Sequence, residues 1–215
     1  MQIAILLYDR FTALDAVGPY EILGRTPGAE TVFVAEQAGP VRNDNRGSLG
    51  ILADRTLGEV PRPDIVVVPG GPGQDAQMDN AAVLDWLRAV DAGSTWTTSV
   101  CTGSLLLAAA GLLEGRRATS HWLALDHLAT FGARPTSERV VTDGKYVTAA
   151  GVSSGIDMGL TLLGRIAGDE RAQAVQLLIE YDPQPPYDAG SPDRAPAHLV
   201  EELRGTSRFR TKAGR

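Results

Sequence analysis

The sequence predicts an open α/β domain: a mostly parallel sheet covered by helices on both faces, with a hairpin inserted. Three observations predict it. Near-continuous apolar runs at residues 2–8 (QIAILLY) and 64–68 (DIVVV) have the character of strands buried on both faces. Helical segments lie between the strands, so that strand and helix alternate along most of the chain. Two strands run directly into glycine-containing turns, at Pro69 and at Cys101. Open α/β sheets place their ligand crevices at such strand ends.

In chain order, the first strand at 2–8 is followed by a helix over 13–23, with Asp15 near its start. Residues 30–36 (ETVFVAE) read as a second strand, and 50–52 as a short strand in a hairpin. The strand at 64–68 ends in Pro69-Gly70-Gly71-Pro72-Gly73. Residues 80–92 form an amphipathic helix with Val83, Leu84, Leu87 and Val90 on one stripe. Residues 96–100 are a strand, and 102–110 an apolar helix closed by Gly111. A further helix is expected over 119–131. Asp143-Gly144 joins two hairpin strands at 140–142 and 145–148. Helices follow at 155–166 and 170–181, after which Pro183, Pro185, Pro186 and Pro192 impose an extended segment.

The composition bounds the function. A chain of 215 residues, 43% hydrophobic and 21% charged, fits one domain, here residues 1–203. Residues 204–215 are basic and rich in Gly, Ser and Thr, and read as a frayed, solvated tail. The net charge of -6, with no basic block before that tail, argues against nucleic-acid binding. No apolar run is long enough to span a bilayer, and residues 1–8 lack the basic flank and cleavage site of a secretory signal. The single cysteine excludes an internal disulfide, so a cytoplasmic protein is expected. The three histidines and one cysteine have no metal-ligand spacing, and the PGGPG turn lacks the lysine of a phosphate loop. No metal and no cofactor are therefore expected. Trp86, Trp96 and Trp122 read as packing residues.

Cys101 is the best candidate for chemistry. The stretch Ser99-Val100-Cys101-Thr102-Gly103-Ser104 has the layout of a nucleophile elbow: a strand ends, the chain turns sharply, and a helix begins. The helix N-terminus should favour a thiolate and offer N–H groups to an anion. The bland alternative is an inert buried thiol, the usual state of a free cysteine. The strand-end position and the second glycine-rich loop favour reactivity.

These residues, with Leu14-Asp15-Ala16-Val17-Gly18-Pro19, Pro69-Gly70-Gly71, Arg117-Ala118-Thr119-Ser120-His121-Trp122, Gly151-Val152-Ser153-Ser154-Gly155-Ile156-Asp157 and the stretch from Glu180-Tyr181 to Asp193, resemble the ThiJ/PfpI superfamily, relatives of class I glutamine amidotransferases. The likeness covers nearly the whole chain and is greatest to the isonitrile-hydrating branch. It implies a flavodoxin-like doubly wound sandwich, a homodimer, and a small uncharged electrophile as substrate. Cys101 would be the nucleophile and Asp15 its acid/base partner. Thr102 would give a backbone N–H and a hydroxyl, and Gly71 a second backbone donor. Val152 would help to shape the pocket.

Asp15 otherwise reads as a helix-dipole acid. In many members of the superfamily a glutamate partners the cysteine, which keeps Glu21 as a fallback, although a surface acid is its simpler reading. His121 is the candidate for a Cys–His pair, against a structural role. His127 and His198 read as surface or interface residues. The activity implied is hydration of an isonitrile to an N-substituted formamide through a covalent thioimidate on Cys101. The alternatives are hydrolase or glyoxalase-like chemistry on another small electrophile, and a cysteine-based redox or ligand sensor. Some superfamily members are fused to helix-turn-helix domains, for which a chain ending at Arg215 is expected to leave no room.

Overall fold

The structure is a computed structural model and describes residues 1–209. Its centre is a seven-stranded sheet in the order β10-β11-β7-β6-β1-β2-β5. The strands are β1 (Gln2–Leu6), β2 (Glu30–Ala35), β5 (Arg55–Thr56), β6 (Ile65–Val68), β7 (Trp96–Val100), β10 (Val140–Asp143) and β11 (Tyr146–Ala149). All neighbours run parallel except β10, which pairs antiparallel with β11 across Gly144 and Lys145, one residue later than the expected Asp143-Gly144 turn because Asp143 pairs with Tyr146. Side chains of β6 and of residues 3–6 of β1 are completely buried, because helices cover both faces. The small sheets, antiparallel β3 (Gly39–Arg42) with β4 (Gly50–Ala53) and parallel β8 (Arg117–Ala118) with β9 (Arg134–Pro135), sit outside this frame.

One face carries α1 (Ala13–Leu23), α5 (Ser154–Ala167) and α6 (Asp169–Leu178). Helices α1 and α5 pack closely because Gly18 lies against Ile156 and Gly159 against Ile22, where a side chain would not fit without displacement. The other face carries α2 (Gln74–Gln77), α3 (Ala81–Asp91) and α4 (Gly103–Ala109). Asn80 caps α3 through Ala82 N–H, and the expected stripe of Val83, Leu84, Leu87 and Val90 is buried. The last helix among the described residues is α7 (Ala197–Thr206).

Two expectations need correction. The helix expected over 119–131 is a loop followed by a 3-10 helix at Leu125–Phe131. Thr119 and Ser120 are instead drawn into the site loops, where Thr119 N–H donates to Thr148 and Ser120 to Cys101. The tail expected from Arg204 starts inside α7, and the next residues are held: Arg208 pairs with Asp75 and Phe209 packs against the core. Residues 210–215 lie outside the described residues.

No helix among the described residues is long and apolar enough to cross a membrane.

Candidate active site

The chain crosses from one side of β1 to the other between β2 and β6, so the crevice at the carboxyl ends of β1, β6 and β7 is the topological switch point. Three loops and one helix meet there. Cys101 follows β7 at φ 58, in the left-handed region, as a nucleophile elbow requires. Such a backbone costs a non-glycine residue about 1–2 kcal/mol, and the surroundings hold it. Its N–H donates to the carbonyls of Ala149 and Ala150, and its carbonyl accepts from the hydroxyls of Ser104 and Ser120, each at 3.1 Å. A side chain at Gly103 would strike the Val68 carbonyl, which explains the glycine after the turn.

Asp15, in the first turn of α1, is completely buried. Its Oδ2 accepts the Gly70 N–H at 2.9 Å. The carboxyl also meets the Cys101 thiol, and the two groups act on each other's ionisation. Oδ1 is sealed from solvent without a hydrogen-bond partner. Burial raises the Asp15 carboxyl from 3.8 to about 7, opposed by Gly70 N–H and the thiol and reinforced by Asp44. Burial, followed by the charge of Asp15, likewise pushes the Cys101 thiol well above its usual value. The thiolate expected from the helix N-terminus is thus not the resting state. A helix end is worth about 0.3–1 kcal/mol, whereas full burial moves a pKa by several units. Because each group acts on the other, they titrate as a coupled pair rather than as two independent groups.

Thr102 donates its N–H and its hydroxyl toward the sulfur, the two groups that oppose the rise. The same hydroxyl accepts Gly71 N–H at 3.0 Å. Gly71 is therefore not a free oxyanion donor: its amide is committed to Thr102, and it acts on the thiol one step removed. Gly70, whose own role was not foreseen, holds the acid. It must lack a side chain, because a Cβ there would lie 2.5 Å from Thr102 N and 3.0 Å from Asp15 Oδ2.

The other candidates separate. Glu21 is half-exposed on α1 and pairs with Arg25 at 2.8 Å, which leaves it the surface acid of its simpler reading. His121 Nδ1 accepts the Leu123 N–H, and burial, then the charge of Arg208, lowers its pKa. It is a neutral side chain beside Gly151, not a partner hydrogen-bonded to the thiol. Val152 is partly buried against the core at the start of the α5 turn. Tyr8 was missed. Its hydroxyl donates to the Pro69 carbonyl at 2.7 Å, and burial, then Asp15 and Cys101, push it well above the usual phenol range. The signal for Tyr8 was its place at the carboxyl end of a buried parallel strand, as for Cys101. Among the described residues, no group of three or more His, Cys, Asp or Glu could hold a metal ion. The cleft at the α5–α6 junction is lined by none of these residues, and the one beside β3 reaches Tyr8 but not Cys101, Asp15 or Thr102.

The fold and the elbow define a class: an open α/β protein that presents a buried cysteine, paired with an acid, at its switch point. Within that class the chain belongs to the DJ-1/PfpI family, whose pattern matches residues 1–165. It is 43% identical over 95% of its length to isonitrile hydratase of Pseudomonas putida, of which it covers 89%. It is 29% identical to DJ-1 homolog A of Arabidopsis thaliana and 32% identical to the HTH-type transcriptional regulator CdhR of Pseudomonas aeruginosa, and it spans 44% and 42% of those chains. A ThiJ/PfpI family protein from Pseudomonas syringae has the same fold, with a TM-score of 0.92 at 41% identity, covering 95% of this chain and 84% of the other. DJ-1beta of Drosophila melanogaster, at 23% identity and TM-score 0.75, shares the fold.

Proposed function

We propose that this protein hydrates isonitriles to N-substituted formamides, with Cys101 as nucleophile and Asp15 as acid and base. The observation that carries the proposal is the sealed pair of thiol and raised carboxyl, with one carboxylate oxygen unclaimed. The likeness to an isonitrile hydratase over 95% of the chain supports it.

The chemistry balances with a single shared proton. The Cys101 sulfur bonds to the terminal carbon of R–N≡C while the proton of the pair passes to that carbon, giving the thioimidate R–N=CH–S and leaving Asp15 as carboxylate. Asp15 then takes a proton from water as the water oxygen bonds to the carbon, and delivers it to the nitrogen. The C–S bond breaks, the sulfur leaves with its electron pair, and the hydroxyl proton returns to the Cys101–Asp15 pair. The sum is R–N≡C plus water to R–NH–CHO. An acid near pH 7 can serve in both directions. An uncharged substrate suits a site that withholds solvent, since Cys101 is only 5% exposed.

The test is conversion of an aryl or alkyl isonitrile to its formamide by the purified protein, followed by mass spectrometry. Wild type should turn over and Cys101→Ala should not. No product from wild type, or undiminished product from the variant, overturns the proposal. Glyoxalase-like chemistry through Glu21 or His121 has less support, because both side chains have other partners. Redox sensing through Cys101 also has less support, because a buried thiol of raised pKa oxidises slowly.

A further inference from the structure

The loop after β6 sets both partners of the thiol, yet it is weakly built. Gly70 N–H fixes the Asp15 carboxyl and Gly71 N–H the Thr102 hydroxyl. Three of the five residues Pro69 to Gly73 are glycines, and glycine loses the most conformational freedom on being held. From the segment before α1, Tyr8 hydroxyl to the Pro69 carbonyl, Thr12 N–H to the Gly70 carbonyl and Gly73 N–H to the Arg10 carbonyl tie the loop down. On the other side stands a residue from the far end of the chain. Arg208 donates to the Pro72 carbonyl at 2.8 Å, to the Gly71 carbonyl and Gln74 Oε1 at 3.1 Å each, and to Asp75 Oδ2 at 2.5 Å.

We propose that Arg208 is a positioning residue for the thiol pair: its guanidinium clamps the loop whose Gly70 and Gly71 amides aim the Asp15 carboxyl and the Thr102 hydroxyl at Cys101. A planar fork with several fixed donors suits this task better than a point charge. The arm that carries it is anchored beyond it as well. Phe209 meets His127 edge-on at 5.6 Å between ring centroids and packs against the core. The charge of Arg208 also reaches the site, where it acts on Tyr8 and His121. Tyr8 after β1 and Asp44 beside Thr12 are thus coupled to the thiol pair, whereas Arg208 from the C-terminal arm acts on Tyr8 and on His121 after β8.

For turnover the inference rests on the hydratase reading; for the state of the thiol it does not. Two readouts therefore test it, isonitrile turnover and the pH profile of Cys101 alkylation by iodoacetamide. Arg208→Gln should lower kcat roughly 10- to 100-fold with KM changed by less than about threefold, because the loop aims groups and does not hold substrate. The alkylation midpoint should rise by about half a pH unit or more, because a loosened Gly71 amide no longer presets the Thr102 hydroxyl that stabilises the thiolate. Arg208→Lys should recover part of kcat, and Asp75→Asn, which leaves the other acceptors in place, should fall between wild type and Arg208→Gln. Wild-type kcat in Arg208→Gln overturns the proposal. So does an unmoved alkylation profile with only a lower melting temperature, which would make Arg208 a fold residue alone. If wild type hydrates no isonitrile but the alkylation midpoint still moves, the hydratase reading fails and the clamp stands.

Discussion

Replacing Asp15 by Asn should stabilise the protein while disabling it, by an amount that depends on pH. The carboxyl is raised from 3.8 to about 7 by its burial. Between those values the folded chain keeps a proton that the unfolded chain has lost. Stability therefore falls as pH rises: it is present in full below 3.8 and gone above about 7. At about 1.4 kcal/mol per unit, the whole window corresponds to about 4 kcal/mol, and the part between about pH 5 and about pH 8 to about 3 kcal/mol. Asparagine cannot ionise, and its oxygen can still accept the Gly70 N–H. The variant should thus gain about 3 kcal/mol on wild type when both are moved from about pH 5 to about pH 8. Urea unfolding at the two pH values measures this directly. Turnover should meanwhile fall by roughly 10²–10⁴-fold, the usual contribution of a positioned acid. If the stability difference between the two proteins is the same at both pH values within about 0.5 kcal/mol, Asp15 titrates as an ordinary carboxylate and the reasoning is refuted.

Gly70→Ala should fold but lose turnover at least about tenfold, because the new methyl must displace Thr102 or Asp15; wild-type kcat would show that the loop's close approach does not matter. Glu21→Gln should leave turnover and its pH profile unchanged, and cost no more than about 0.5 kcal/mol in denaturant unfolding, since it removes one exposed ion pair with Arg25. A collapse of activity there would return Glu21 to the role of the acid.

The layers of the fold were legible in the sequence because burial on both faces leaves a plain mark. The runs that became β1 and β6 are apolar without alternation. The elbow was legible for a similar reason: a strand, a cysteine and a glycine in sequence leave few ways to continue. What was not legible depends on groups that meet only after folding. Nothing local in the segment from Thr119 to Ser120 says that its hydrogen bonds will go to Thr148 and Cys101, and these prevent the expected helix. The ionisation of Cys101 was misjudged because the helix end is visible in the sequence and the depth of burial is not. Arg208 was taken for tail because basic residues near a terminus are usually solvated, and its four acceptors lie more than 130 positions away.

The left-handed backbone at residue 101 has a consequence for how such a chain could change over time. Glycine would relax that position at no steric cost, so stability alone pulls the site toward losing its sulfur. A lineage released from the need for chemistry should drift to glycine there. A lineage that must keep the chemistry has to correct its stability elsewhere. The cysteine in this chain is thus a residue retained against the preference of its own backbone.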